Sequence, residues 1–128
     1  MAALDVKRRL FVVVGNGKAH VAELATKRVR KLTTSGPQNV VAARGPGFEW
    51  DSSIQKFVGW AGGTSVFVLD PATWTWTERP AASSNTVTPT MATRLLQFGK
   101  FRYVPSMNLY VSVGGTGQSV FAYRLGAP

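Results

Sequence analysis

Proton-transfer chemistry has few candidates in this chain. Its acidic residues are Asp5, Glu23, Glu49, Asp51, Asp70 and Glu78, and His20 is its one histidine. Glu49 and Asp51 lie two apart, so a strand would turn both carboxyls to one face, as a glycoside-cleaving pair requires. The alternative needs no substrate: Asp51 caps the turn that follows its strand, beside an exposed Glu49. His20 sits in the strand-like run Ala19-His20-Val21-Ala22. With no second histidine and no cysteine to join it, it reads as a strand histidine and not as a metal ligand. No serine stands in a nucleophile elbow. Gly15-Asn16-Gly17-Lys18 is too short for a phosphate loop and has the composition of a hairpin turn. The sequence therefore leads us to expect no metal, no cofactor and no catalytic constellation.

Binding chemistry is better represented. Fifteen Lys and Arg against six Asp and Glu give a formal charge of +9, which favours an anionic partner. Nine of the basic residues fall in residues 1–44, where only Asp5 and Glu23 oppose them. The densest cluster is Lys27, Arg28, Arg30 and Lys31. In a nucleic-acid or polyanion reading these would neutralise phosphates while Trp50, Trp60 or Tyr103 stack on bases. On a strand, Arg28 and Arg30 share one face and Val29 takes the other. The same pattern describes a solvated edge strand, where charge blocks unwanted pairing. Trp60, Trp74 and Trp76 raise a carbohydrate reading. Trp74 and Trp76 share a face at spacing two and are expected to pack between sheets, which leaves Trp60 as the sugar-stacking candidate.

The elements that must position these residues are short strands. A chain of 128 residues, 45% hydrophobic and 16% charged, has the length and composition of one folded domain. Thirteen glycines, seven prolines and frequent Val, Phe, Trp and Thr favour strands joined by tight turns, so the predicted class is all-β. Lys7-Arg8-Arg9 before Leu10-Phe11-Val12-Val13-Val14 imitates a signal peptide. The apolar run is too short and ends at Gly15 without a cleavage site, so we read it as a strand and the chain, as written, as cytoplasmic. Nothing reaches the length of a membrane span.

A unit recurs three times, over about 1–35, 44–80 and 98–126, within a single domain of 1–128. The middle copy gives four strands, Phe48 to Ser53 leading into Lys56 to Gly63, then Ser65 to Asp70 and Trp74 to Thr77. The last copy has Phe101 to Pro105, Leu109 to Gly115 and Ser119 to Arg124, and lacks the fourth. The first begins at Asp5, continues through Leu10 to Gly15, His20 to Leu24 and Arg28 to Leu32, and is expected to lack the first strand. The anchors Phe11, Phe57 and Tyr110 are 46 and 53 residues apart, a blade-like period. Asp70-Pro71-Ala72-Thr73 fills a tight turn between antiparallel strands. Gly62-Gly63 and Gly114-Gly115 hold the same place in two units and predict positive φ where the chain leaves the second strand. Thr33 to Gly47 and Pro80 to Thr93 read as loose linkers.

Gly62-Gly63 after a strand, then Asp70-Pro71-Ala72-Thr73, Trp74 and Trp76, resembles a kelch repeat of the galactose-oxidase-like β-propellers. The stretch from Gly99 to Leu125 is similar to the closing segment of kelch-like domains in larger bacterial proteins. The resemblance implies a partial propeller of three four-stranded blades, the first and last incomplete. It also implies innermost strands that line a channel, with Arg44, Trp50, Arg102 and Tyr103, besides Trp60, as ligand contacts. The copper chemistry of galactose oxidase is not implied, because its Tyr, His and Cys ligand set cannot be assembled here. Three blades leave apolar faces open at both ends, so we expect a homo-oligomer, a dimer in which whole copies build one ring. The expected role is a non-catalytic binding module. The alternatives are polyanion binding through Lys27 to Lys31 and a carbohydrate-binding or polysaccharide-active protein using Glu49 and Asp51.

Overall fold

A computed structural model describes residues 1–91, 97–115 and 117–126. Among them, eleven strands pair into three antiparallel sheets. The first sheet holds β1 (Ala2–Asp5), β2 (Leu10–Gly15), β3 (Lys18–Glu23) and β4 (Arg28–Lys31). The second holds β5 (Gly47–Asp51), β6 (Lys56–Trp60), β7 (Val66–Asp70) and β8 (Thr75–Arg79). The third holds β9 (Phe101–Val104), β10 (Leu109–Val113) and β11 (Val120–Tyr123). Strands pair with their neighbours in sequence, so the all-β class and the second and third units follow the sequence reading.

The first unit corrects it. Four strands are present, because Ala2–Asp5 pairs along β2 from Ala2↔Val13 to Asp5↔Leu10. The α-amino group of Met1 extends the ladder with a hydrogen bond to the Val14 carbonyl (2.6 Å). Alanine is a poor strand former, so no local signal marked this segment; pairing with the Val-rich β2 decides it. The linker after β4 is also less loose than expected. Within it, α1 (Asn39–Ala42) buries Val40 against Gly59, where a Cβ would stand 2.7 Å from the Val40 methyls. Residues 92 and 93 of the second linker lie outside the described residues.

One turn design recurs. The chain reverses over Asp5 to Arg9, Glu23 to Lys27, Asp51 to Gln55, Asp70 to Trp74 and Val104 to Asn108. Each of these stretches ends on a left-handed residue: Arg9 (φ 57), Lys27 (56), Gln55 (56), Trp74 (56) and Asn108 (49). A leading aspartate caps three of these turns, as when Asp70 accepts from the Ala72 amide (2.8 Å). Gly62 and Gly63 have the predicted positive φ, 92 and 75. Gly114 and Gly115 do not; the Gln118 side chain folds over Gly114, its Oε1 lying where a Cβ would be.

The second sheet is covered on both faces. Phe48, Phe57, Phe67, Leu69 and Trp76 join Val12, Val14 and Val21 of the first sheet in one core cluster. Val58, Trp60, Val66 and Val68, from the opposite face, join Phe101 and Tyr110 of the third sheet in another. This explains the uninterrupted burial of Val66 through Leu69, since a strand buried on both sides need not alternate. Each large side chain so buried contributes about 1.5–3 kcal/mol. The first strands stand side by side, β1 against β5 and β5 against β9, without hydrogen-bonded ladders between them.

Candidate functional site

The junction of β5, β9 and β10 gathers the densest set of polar groups. Asp51 ends β5 and is fully buried. Its carboxylate accepts from the Ser53 amide (2.8 Å), the Ser53 hydroxyl (2.6 Å) and the Ile54 amide (3.3 Å). A fourth donor is the Tyr110 hydroxyl on β10. Burial pushes the Asp51 carboxyl up, but the Ser53 and Tyr110 hydrogen bonds outweigh it and hold the group below its ordinary value. The Tyr110 phenol is pushed far up, first by burial, then by its hydrogen bond to Asp51 and by the Asp51 charge. Tyr103 lies tilted against it, ring centroids 4.9 Å apart at 32°, and its hydroxyl donates to Asn108 Oδ1 (3.3 Å). Burial and the Asp51 charge raise the Tyr103 phenol too, against a hydrogen bond with Ser53.

Glu49 shares this face of β5 and pairs with Arg102 of β9, Oε1 to Nη1 at 3.3 Å. Burial raises the Glu49 carboxyl and the Arg102 charge partly offsets it. The two carboxylates the spacing brought together are thus occupied differently. Asp51 is a turn cap with its acceptor sites filled. Glu49 is half-buried and ion-paired, where an exposed position was expected.

Arg102 and Tyr103 meet at the junction of the second and third sheets, whereas the other expected ligand contacts do not join them. Arg44 is corrected from an inner strand to an exposed bend after α1. Trp50 points to the opposite face of the second sheet, edge-on to Phe57 (4.8 Å, 64°) in the core shared with the first. Trp60 is 4% exposed, its indole donates to the Gly63 carbonyl (3.0 Å) and its ring stacks on Phe101. It is therefore an interior ring and not the exposed surface face that sugar stacking was expected to use. Trp74 and Trp76 pack as expected, with Trp76 in the core beside Phe48.

Lys27 terminates the β3–β4 turn, and Arg28, Arg30 and Lys31 are exposed along β4, the free edge of the first sheet. Arg30 pairs with Glu23 (3.3 Å), while Lys27, Arg28 and Lys31 make no ion pair among the described residues. His20 is half-buried on β3, and among the described residues no three His, Cys, Asp or Glu side chains come together to hold a metal. None of the described helices is long and apolar enough to cross a membrane.

Sequence reasoning missed three groups. Asp5 is fully buried and accepts from the Arg8 amide (3.0 Å) and guanidinium (2.9 Å); its place in the repeat, matching Asp51, was the available signal. Tyr110 takes the Phe57 position with a hydroxyl added, and a polar tip on a core aromatic announces a buried partner. Gln97, buried where the chain enters β9, accepts from Ser112 (3.1 Å) and carried no local signal. No family model, curated relative or solved structure matches this chain.

Proposed function

We propose that the three sheets are successive blades of a propeller-like, kelch-type array, and that the chain is a non-catalytic interaction module whose copies join end to end into a ring. Side-by-side first strands and a middle sheet packed on both faces support the blade arrangement. The observation that carries self-association is the pair of apolar faces left at the two ends. The first sheet turns Leu4, Phe11, Val13 and Val29 outward, 38, 40, 39 and 72% exposed. The third turns Val113 and Val120 outward, 36 and 63% exposed. Such contiguous apolar faces mark contact surfaces.

The two end faces are of complementary type. In register, Phe11 matches Phe57, whose face meets the preceding sheet, while Val111 matches Val58, whose face meets the following sheet. Docking the third sheet of one copy on the first sheet of another repeats a contact made twice inside the chain. Two copies close six units, and the interface is heterologous in patch yet closed by a two-fold axis. Light scattering at micromolar concentration should give twice the 13.8 kDa of one chain. A monodisperse monomer would sink this reading.

A second reading is polyanion binding along β4, favoured by the unpaired Lys27, Arg28 and Lys31. Salt-sensitive retention on DNA, abolished by Arg28→Ala with Arg30→Ala, would favour it. Unchanged retention in the double variant would remove it.

A further inference from the structure

The second sheet shows what can flank a fourth strand. β8 is paired on one side with β7, Leu69 opposite Trp76. On its other side lies Ser35 of the segment entering the unit, bridged in parallel to Thr75. The Ser35 amide donates to the Trp74 carbonyl (3.0 Å) and the Trp76 amide to the Ser35 carbonyl (2.9 Å). Held between these walls, Trp76 enters the core between sheets and is 2% exposed.

Among the described residues the third sheet ends at β11, and no strand pairs along its far side. A cavity of about 370 Å³ lies between the second and third sheets, with Val120, Phe121 and Tyr123 of β11 on one wall. The opposite wall is Ala81, Val87 and Pro89, in the segment that leaves β8 as the Ser35 segment leaves β4. Aromatic rings of Trp60, Phe101 and Tyr110 reach it from the interior. The Tyr123 hydroxyl, shared between the carbonyls of Arg79 (3.2 Å) and Pro80 (3.3 Å), ties the two walls together at one end. The cavity is therefore bounded as the place of β8 is bounded, and its volume is that of a side-chain-accepting site.

We infer that this cavity is a strand-accepting site for an extended segment of a partner polypeptide. The segment adds antiparallel to β11 and places a large aromatic side chain opposite Tyr123, as Trp76 lies opposite Leu69. The unpaired backbone of an edge strand supplies affinity and the cavity supplies specificity. Arg79 and Arg124 both stand at the Tyr123 end of β11 and make no ion pair among the described residues, so an acidic N-terminal flank suits an antiparallel segment. The inference rests on the proposed equivalence of the third sheet with the second, and not on self-association.

The test uses the 128-residue protein and a fluorescent peptide with the sequence of Thr73–Pro80 carrying two added N-terminal aspartates. Saturable binding is expected, weakened about tenfold or more in the peptide with Trp76→Ala, a difference of about 1.4 kcal/mol. Amide exchange at Val120 to Tyr123 should slow in the complex. Equal binding by both peptides, no saturation, or protection elsewhere than β11 would overturn the inference. Light scattering on the same samples separates the two proposals. A peptide-binding monomer retains the strand site and removes the ring, whereas a dimer that ignores the peptide does the reverse.

Discussion

The hydroxyl of Tyr110 donates to the carboxylate of Asp51, joining the middle strand of the third sheet to the turn that ends the first strand of the second. Both residues are buried, so the bond fixes the approach of one sheet to the next and not only the turn. An oily contact tolerates sliding, whereas a buried charge-assisted hydrogen bond accepts one geometry.

Tyr110→Phe keeps the ring and removes the donor. The three remaining donors from Ser53 and Ile54 keep Asp51 ionised but leave one acceptor site dry. Loss of a hydrogen bond to a charged group costs about 1.5–3 kcal/mol. Urea denaturation should show this loss with an unchanged m-value, and a change below about 0.5 kcal/mol would refute the assignment of the bond.

The same bond sets a pH dependence. The folded pKa of Asp51 is depressed, so its stabilisation is fully present above the ordinary aspartate value of about 4 and is lost as pH falls through the lower folded value. Asp70, lowered by its Lys56 hydrogen bond, acts in the same window. Glu49 acts oppositely: its raised pKa means that protonation on acidification relieves a penalty. Thermal melts should fall between about pH 5 and pH 2, and the fall should be shallower in Asp51→Asn. Parallel curves for the two proteins would contradict this origin.

Packing of the first strands gives a backbone test. Phe101 lies flat on Gly47, where an added Cβ would stand 2.5 Å from Phe101 Cγ and 2.8 Å from its Cβ. Gly47→Ala must therefore push β9 from β5, at a cost of about 1–3 kcal/mol. Phe101→Leu alone also costs stability, but in its background Gly47→Ala should cost less. Additive losses in the double-mutant cycle would show that the two residues do not meet.

Much of this architecture was legible because each strand carries its own pattern and each turn its own chemistry. Ser65 to Asp70 announced a strand, though not that both its faces are buried, and Asp70-Pro71 announced a tight reversal. β1 was hidden because Ala2 and Ala3 favour no strand until β2 pairs with them. The site was legible only in parts. Glu49, Asp51, Arg102 and Tyr103 were singled out from local spacing and resemblance, but what joins them is the placement of one sheet on another. Arg44 and Trp50 failed to converge for the same reason: position within a unit does not say which face meets which neighbour. Gln97 and Ser112, a buried polar pair between a turn and a strand, have no periodic signature at all.

The pairing of end faces makes the sharpest prediction. If the third sheet of one copy docks on the first sheet of the other, Phe11→Lys and Val113→Lys should each yield monomers, because either one spoils both contacts of a closed dimer. Each lysine would bury an unpaired ammonium among apolar groups, a cost that exceeds the local packing gain. Mixing the two variants restores one contact, between the intact third-sheet face of the Phe11→Lys chain and the intact first-sheet face of the Val113→Lys chain. Sedimentation of the mixture should therefore recover a mixed dimer that neither variant forms alone. Like-with-like docking predicts a different outcome: one of the two lysines would be harmless and mixing would restore nothing. That result would leave the exposed faces of Phe11 and Val113 as surfaces for other partners and remove the ring.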